Sequence, residues 1–391
     1  MASGVVRVNR NRIRQARSAA ALVATAVWVA CFSWLAWPAN AALQEASDAT
    51  ILGDAGGLPG DLDSMPVADD ACMQELRRCC CCPGWTHYAI FDVLFLQRNN
   101  QNGDQPLVFT AAGVPVMTTQ DLQPSLATGV RLFYGELFTD QLGWEIGYTG
   151  IYGMFGQAVV TGNENLQLPP DLGTVVNNFN DADQVRATYW STLNIAEFNL
   201  FCYDCCQECG PTNCPLTSCK PSCHCINYLA GFVWAGLNER ASLTSTCCNP
   251  PESASYTVNS STNYFGPQIG MRGRREWQRW AVEGWWKTAV CGTNVYQSQA
   301  PIVGTITGPE RGAISANDTG VGFIGSINGT LIYRLTDVWG LRAGYNFYWL
   351  TNSALAPSQW DFATNTGAGT GINDNGGIFL QGANLGAEAR W

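Results

Sequence analysis

The sequence is poor in charged residues. Asp, Glu, Lys and Arg make up 13% of its 391 residues, about half of the roughly 25% found in soluble domains. After residue 41 it also lacks a long apolar run and any helical periodicity, and its mean hydropathy is −0.04. These absences exclude a helical membrane protein, because each helical span needs about 20 apolar residues.

Histidine is scarce as well, and nucleotide-binding motifs are missing. The two histidines, His87 and His224, have no readable nucleophile and acid partner, as a hydrolase would need, and His87 is predicted to be structural. Glu145, Glu197, Glu239 and Glu283 could pair for glycosidic chemistry, but inward charges of a barrel usually neutralise arginines. No P-loop or dinucleotide fingerprint is present. The sequence predicts no enzyme, no cofactor and no metal site.

The first 41 residues are predicted to be a signal peptide. Five arginines precede an apolar stretch from Ala19 to Trp37, and Ala39-Asn40-Ala41 supplies an Ala-x-Ala cleavage signal. An uncleaved membrane anchor is the alternative. Removing the segment leaves 16 basic against 31 acidic residues, a net charge of −15, which disfavours nucleic acid and anionic lipid as partners. The polar, acidic residues 42–84 are predicted to form a flexible periplasmic segment.

From residue 85 onward the chain is built of runs that alternate apolar and polar residues, which is the period of β-strands. Ten strands are predicted: 85–98, 125–139, 143–160, 186–201, 226–243, 260–275, 277–291, 320–336, 340–354 and 376–391. The last run, GANLGAEARW, keeps this alternation to Trp391. Because chain termini fray unless something holds them, the last strand is predicted to pair with the first.

The connections between these strands alternate in length. Tight turns follow strands two, six and eight, whereas long stretches rich in Asn, Gly, Ser, Thr and Pro follow strands one, three, five, seven and nine. Outer-membrane barrels show this alternation, with short periplasmic turns and long outer loops. The predicted fold is therefore an all-β antiparallel transmembrane β-barrel of about ten strands over residues 85–391, located in the bacterial outer membrane.

Several strands carry charge on one face and aromatic residues on the other. In 277–291, Glu283 and Lys287 oppose Trp280 and Trp286. Such aromatic-rich faces favour lipid outside and charge inside, although the pattern alone also allows the inverse arrangement of a soluble secreted β-protein. The strand at 226–243 does not divide into two faces, so its inner face is not assigned.

Six charges are predicted to line the lumen: Arg272, Arg274, Arg279, Glu283, Lys287 and Arg342. In an open pore they would set the selectivity for solutes. In a barrel of this size they could equally form a packed polar plug. Both alternatives stay open.

The segment from Ile324 to Trp360 reads IGSINGTLIYRLTDVWGLRAGYNFYWLTNSALAPSQW. Its YRLT turn, its strand centred on Gly344-Tyr345 and its ALAPSQ element resemble the C-terminal half of a β-barrel porin family of bacterial outer membranes, of which this chain would be a cysteine-rich member. That family usually has an acidic residue where Ser358 stands. FDVLFLQR and GANLGAEARW are similar to its first and last strands. The resemblance implies an outer-membrane barrel and brings no substrate.

Sixteen cysteines follow the signal segment. Cys202-x-x-Cys205 has zinc-ligand spacing, but export to an oxidising compartment favours disulfides. The candidates are Cys79, Cys80, Cys81, Cys82, Cys202, Cys205, Cys206, Cys209, Cys214, Cys219, Cys223, Cys225, Cys247, Cys248 and Cys291. Two groups are predicted, one on each side of the membrane. The quartet at 79–82 would share a side with the periplasmic connection 202–225, and Cys291 would pair with Cys247 or Cys248.

The sequence favours a porin-like outer-membrane protein that passes small hydrophilic solutes or serves as a structural component of the envelope. A closed barrel with disulfide-stapled loops that bind a surface partner is the first alternative, and the soluble secreted β-protein is the second. The partners predicted with the barrel are outer-membrane lipid, small solutes and a further copy in a homo-oligomer.

Overall fold

A computed structural model of the chain describes residues 85–100, 102–138, 142–169, 179–205, 223–247, 252–304 and 308–391. The predicted signal peptide at 1–41 and the segment at 42–84 lie outside this part of the chain. No helix among the described residues has the length and apolar character to cross a membrane. Two short 3-10 turns, Thr119–Asp121 and Ala356–Gln359, are described within the connections.

Ten long strands form a closed antiparallel barrel, which confirms the predicted fold. They are β1 His87–Arg98, β4 Ala127–Leu137, β5 Leu142–Gln167, β6 Ala182–Cys205, β7 Cys223–Cys247, β8 Glu252–Trp277, β9 Trp280–Gln299, β12 Ile314–Arg334, β13 Trp339–Ser353 and β14 Gly376–Arg390. Four short strands lie in the connections: β2 Pro106–Thr110, β3 Pro115–Thr118, β10 Ile302–Gly304 and β11 Gly308–Arg311. These short strands were not predicted.

The first and last long strands close the barrel, as their patterns predicted. β1 pairs with β14 from Tyr88↔Arg390 to Arg98↔Leu380, and the His87 amide donates to the Trp391 carbonyl oxygen at 2.9 Å. Between them the order runs β14-β13-β12-β9-β8-β7-β6-β5-β4 and returns to β1. Closure leaves no unpaired strand edge in this ring, which a β-structure in lipid requires.

Several strands are much longer than predicted. β8 begins at Glu252 instead of residue 260, and β9 runs to Gln299 instead of residue 291. The predicted long connection after the fifth strand is therefore wrong, because β7 ends at Cys247 and β8 starts five positions later. The Ser, Thr and Asn residues of this predicted connection alternate with apolar residues and belong to paired strands, although such a polar composition is typical of loops.

The barrel has two ends that differ in extent. Trp85 and Trp391 lie at one end, which we call the proximal end, and the opposite end is the distal end. β13, β14, β1 and β4 stop where their outward residues cease to be apolar, whereas β5 to β9 and β12 continue beyond that level. The extended strands form a curved sheet, the distal half, whose concave side is covered by residues 99–126 and 354–375.

An apolar belt surrounds the proximal part of the barrel. Its outward-facing side chains are exposed, and Val290, Ile269 and Phe232 each keep 58–60% of their surface accessible. Further belt residues are Phe91, Phe95, Leu132, Ile146, Phe198, Leu200, Tyr228, Phe265, Val282, Trp286, Leu331, Leu341 and Leu385. Exposed apolar surface of this extent marks contact with lipid. The soluble alternative, with apolar residues inside and polar ones outside, does not describe this part of the chain.

The interior is layered along the barrel axis. An ion-pair network fills the proximal lumen, an apolar layer that includes Leu94, Val233 and Leu350 lies above it, and an apolar core that includes Tyr256 and Trp360 fills the distal half. The fifth predicted strand, now β7, spans all three layers. Val233 and Leu237 face the apolar layer while Phe232 faces lipid, which explains why its two faces could not be told apart by polarity.

Candidate functional site

The structure places five of the six predicted lumen charges inside the barrel and one outside. Arg272, Arg274, Glu283, Lys287 and Arg342 are buried. The expectation for Arg279 is wrong: it is exposed and its guanidinium lies 3.5 Å from the Tyr333 hydroxyl. The reason is local, because Gln278 takes a positive φ of 30° and forms with Arg279 the turn between β8 and β9, outside the alternation of either strand.

One part of the lumen network centres on Glu283 of β9. Its carboxylate accepts from both terminal nitrogens of Arg342 at 3.1 Å and from Arg274 Nη1 at 3.3 Å. Glu388 of β14 accepts from the same two arginines, at 2.7 Å in each case. The Arg342 Nε also donates to Asp92 of β1 at 3.3 Å. This cluster therefore ties β1, β8, β9, β13 and β14 together through the interior.

A second part centres on Glu145 of β5. Arg272 Nη2 lies 2.6 Å from one carboxylate oxygen of Glu145, and Lys287 Nζ lies 3.2 Å from the other. Lys287 also bonds Glu197 of β6 at 2.8 Å, and the Tyr88 hydroxyl donates to Glu145. The glutamates considered for paired-carboxylate chemistry are thus held by cations, as inward charges in a barrel commonly are.

Trp285 lies between the two parts of this network. Its ring is 4.5 Å from the Arg131 guanidinium carbon, 5.2 Å from that of Arg272 and 5.7 Å from Lys287 Nζ. Cations over an indole face are attracted by its quadrupole, about 2 kcal/mol when the pair is desolvated. Trp285 therefore fills the centre of the lumen with a group that holds three cations in place.

Four network members were missed by the sequence analysis as lumen charges: Asp92, Arg131, Glu197 and Glu388. Arg131 donates to Asp92, at 3.0 Å through its Nε, and to the Asn346 side chain. The signal was available, because Asp92 interrupts the apolar run FDVLFLQR and Glu388 alternates with the alanines of GAEAR. An isolated charge in an alternating strand indicates an inward partner on another strand.

The lumen holds little free space. Two cavities between its side chains measure about 20 and about 10 Å³, each enough for about one water molecule. Arg131, Trp285 and Gln268 line the larger cavity, and Asn227 and Arg274 the smaller. In the described part of the chain the proximal lumen is therefore occluded by side chains.

A buried ion pair separates the apolar layer from the distal core. Arg98 Nη1 donates to Glu239 at 2.7 Å, and the same carboxylate accepts from the Tyr189 hydroxyl at 2.6 Å and the Ala356 amide at 2.9 Å. Four groups, with Ser191 at 3.1 Å, thus satisfy the Glu239 carboxylate. Because Ala356 lies near the start of the distal covering segment 354–375, this carboxylate fixes the segment to the barrel wall.

The covering segment 354–375 is held from the opposite side by Tyr256. The Tyr256 hydroxyl lies 3.0 Å from Gln299 Oε1 and accepts from the Asp361 amide at 3.1 Å and from Arg311 Nη1 at 3.1 Å. Burial raises the pKa of this phenol, so it stays protonated. Trp360 and Phe362 of the same segment are buried in the distal core, which makes the cover part of the fold.

The predicted disulfide candidates have different outcomes among the described residues, and Cys225 of β7 is disulfide-bonded, as the sequence predicts. Cys291 is a free, buried thiol within β9, so the expected bond to Cys247 or Cys248 is wrong. Cys291 lies beside Gly266 of β8, which pairs with Val233 of β7. Cys247 lies fourteen residues farther along β7 than Val233, roughly 45 Å along the strand. Cys202 is free and exposed. The candidates at 79–82, 206, 209, 214, 219 and 248 lie outside the described residues, and of Cys205 and Cys223 only the strand position is described.

His87 lies at the seam where the barrel closes. Its ring stacks on Trp391 at 5.8 Å, and Nδ1 lies 3.1 Å from the Tyr134 hydroxyl. The terminal tryptophan thus packs on the first strand. No cluster of three or more His, Cys, Asp or Glu side chains suited to a metal ion occurs among the residues that the structure describes.

No protein-family model matches this chain, and no curated protein matches it in sequence. Solved structures of bacterial outer-membrane proteins are similar in architecture. The outer membrane protease OmpT from Escherichia coli has 11% identity and a TM-score of 0.36, over 78% of this chain and 97% of that chain. A Pseudomonas aeruginosa FadL homologue has 9% identity and a TM-score of 0.23, over 78% and 90%.

A third structure is the translocator domain of autotransporter NalP from Neisseria meningitidis. It has 8% identity and a TM-score of 0.21, over 82% of this chain and 96% of that chain. At these values the likeness concerns the fold alone and carries no argument about activity. The resemblance to a porin family that the sequence suggested is not established by any of these comparisons.

The prediction that the chain is not an enzyme needs correction. The first of these structures is an outer membrane protease, so the absence of an enzyme is not a conclusion that the barrel fold allows. The activity is that protein's own, and at 11% identity it does not extend to this chain. What the strand pairing establishes is coarser: the described part of the chain forms a closed antiparallel β-barrel.

Proposed function

We propose that this protein is a closed outer-membrane barrel whose working part is its distal half. In this proposal the proximal half anchors the chain in the lipid, and the distal half stands above the membrane on the outside of the cell as a structural or binding component of the envelope. It corresponds to the first alternative drawn from the sequence, a closed barrel with a surface role.

The observation that carries the proposal is the filled lumen. Side chains from eight strands meet in the proximal network, and the free volumes between them hold about one water molecule each. A porin needs a continuous water-filled path, and its lining charges face water. Here the same charges are bonded to one another at 2.6–3.2 Å.

The distal half adds a second line of support. Its core of about twenty buried apolar side chains and its hydrogen-bonded cover form a well-packed body. Loops that only bridge strands would not need such a core, since connections usually run over a surface without one. A rigid body held above a membrane is suited to presenting a binding surface.

Conductance of the purified protein in a planar bilayer tests this proposal. We expect no stable current steps from the natural chain in concentrated KCl, and steps from a Trp285→Gly, Lys287→Gly variant that empties the middle of the lumen. The variant must keep the heat-dependent gel mobility of a folded barrel, so that its current reports on an opened lumen. Stable steps from the natural chain would overturn the closed-barrel proposal in favour of passage of solutes.

Surface labelling tests the orientation separately. An epitope inserted in the turn between β2 and β3, where Gly113 has a φ of 76° and the neighbouring residues are exposed, should be reached by antibody on intact cells. The same epitope in the turn at 335–338, at the proximal end, should be reached only after the outer membrane is broken. The reverse pattern would contradict an exposed distal half.

A further inference from the structure

The outward-facing surface of the distal half, just above the apolar belt, has an unusual distribution of charge. We call this surface the distal wall, formed by the outward positions of β5 155–161, β6 184–190, β7 238–246, β8 253–261, β9 294–298 and β12 315–321. Apart from Trp190, Phe155, Val159, Tyr296 and Val321, its described outward side chains are mainly Ser, Thr, Asn and Gln. None of them is Asp or Glu.

Two arginines are the charged side chains of this wall among the described residues. Arg186 of β6 and Arg240 of β7 are both exposed, and both lie on adjacent strands. Neither guanidinium takes part in an ion pair or hydrogen bond within the described part of the chain. In a chain with 31 acidic and 21 basic residues, a wall that carries cations and no carboxylates is not expected from composition.

The acidic side chains of the distal half lie elsewhere. Asp104 and Asp121 are in the connection 99–126, Glu164 and Asp181 are near the tip of the β5–β6 hairpin, and all four are exposed. Asp318 of β12 is exposed as well, but it pairs with the buried Val295 and so occupies an inward position of its strand. None of these carboxylates therefore lies on the outward face of the wall. A carboxylate on the outward face of the wall would be repelled by an anionic lipid surface.

Aromatic residues place the two arginines at the edge of the lipid. Trp190 is directly opposite Arg240 in the β6–β7 register, and its ring packs at a tilt of 49° against that of Phe155, with the ring centroids 4.6 Å apart. Below them the Tyr148 hydroxyl donates to Asn194 at 2.7 Å, as side chains with one apolar and one wet end do at a membrane interface. Arg186 is on the same face of β6 as Trp190. It lies four residues farther from the belt than Trp190, roughly 13 Å along the strand.

We propose that Arg186 and Arg240 bind the phosphate groups of lipid headgroups in the outer leaflet, with Trp190 packed against the sugar or acyl portion of the same lipid. The guanidinium fork matches phosphate oxygens in geometry and charge. The spacing between Arg186 and Arg240 suits a headgroup with two phosphates. One phosphate would lie at the level of Trp190 and the other farther from the acyl chains. This inference rests on the proposed orientation, with the distal half outside the cell, and does not depend on a closed lumen.

Native mass spectrometry of the mature protein, titrated in detergent with lipid A carrying two phosphates, tests the inference. An arginine at an anionic lipid surface contributes enough for about a fivefold change in affinity. Arg186→Gln and Arg240→Gln should therefore each bind about fivefold more weakly, and the double variant about 30-fold. For lipid A with one phosphate, one of the two substitutions should cause little loss of affinity, because its arginine then has no phosphate to bind.

The matched control is Arg279→Gln, an exposed arginine at the proximal end, which should leave binding unchanged. All variants must keep the heat-dependent gel mobility of the natural chain. Equal weakening by Arg279→Gln, or no weakening in the double variant, would overturn the inference. Full competition by inorganic phosphate at the lipid's concentration would also overturn it, because the site would then bind free phosphate and not a lipid.

Discussion

The proximal and distal halves of this barrel are made from the same strands with opposite polarity. On β8, the inward positions in the distal half are Ala254, Tyr256 and Val258, whereas in the proximal half they are Gln268, Arg272 and Arg274. The outward positions change the other way, from serines and asparagines to Phe265 and Ile269. The strand keeps its period of two throughout, and only the assignment of the polar face is exchanged.

The medium around the wall explains this exchange. In the proximal half lipid surrounds the barrel, so apolar side chains are stable outside and the polar ones must satisfy each other within. In the distal half water surrounds the sheet, so apolar side chains gain by burial, about 25 cal/mol per Å². The lesson of the comparison is that alternation identifies a strand, while its surroundings decide which face is the inside.

Removing a charge from the proximal lumen should have the largest effect. Glu283→Ala leaves Arg342 and Arg274 partly uncompensated in a buried site, and breaking such a pair costs about 3–5 kcal/mol. The midpoint of urea unfolding in lipid vesicles, followed by tryptophan fluorescence, should fall accordingly. A matched change at the exposed Glu164 should leave the midpoint in place. An unchanged midpoint for Glu283→Ala would mean that the network contributes little to stability.

The outward face allows a direct test of the two surroundings on one strand. Ile269→Lys puts a cation into the apolar belt, which costs about 2–4 kcal/mol near the middle of the bilayer. Ser255→Lys makes the same change on the same face of β8 in the distal half, where it should cost less than about 0.5 kcal/mol. Folding yield into vesicles and unfolding midpoints would measure both. Equal costs for the two lysines would break the comparison.

A smaller effect is expected from the polar contacts of the distal cover. Tyr256→Phe removes a hydroxyl that meets Gln299, Arg311 and the Asp361 amide, and unmet buried partners cost about 1–3 kcal/mol. Because the loss is local to the covering segment, limited proteolysis should cleave within 354–375 faster while the gel mobility of the barrel stays the same. Loss of the folded band would show that the two halves unfold together.

The smallest effect should come from Arg279. Its side chain lies in the β8–β9 turn and is exposed, so Arg279→Ala should change neither the unfolding midpoint nor any current through an opened lumen. Lys287→Ala is the contrast, since Lys287 is buried between Glu145 and Glu197. If Arg279→Ala changed the ion selectivity of a barrel opened by other substitutions, the Arg279 side chain would have to line the lumen.

The prediction from the sequence succeeded where local pattern and physical surroundings agreed. All ten long strands have counterparts in the structure, because alternation with aromatic residues persists through each of them. The terminal strand indicated closure because its pattern had no other partner, and β1 pairs with it over eleven positions. Inward charges such as Glu283 and Arg342 were recognisable because they oppose tryptophans and tyrosines on the same strand.

The prediction failed where the pattern depended on surroundings that the sequence does not display. Residues 252–259 are predicted to belong to a connection because their outward positions are Ser, Thr and Asn, which suit a strand only when that face is in water. Cys291 was assigned to an outer connection for the same reason: the distal extension of β9 was not recognised. The partners of Glu145, from β8 and β9, follow from the closed ring and not from spacing along the chain.

By itself the sequence determined the period of two, the number of long strands, the pairing of the chain's last strand with its first and the presence of charges on faces opposite aromatic residues. Those features are local, because each depends on which residues alternate within one run. Only the tertiary structure decided that the lumen is filled, that the strands continue into an apolar-cored distal half and that two arginines remain on a wall without carboxylates. These depend on which side chains meet across the closed ring, and closure brings together residues as far apart in sequence as Asp92 and Arg342.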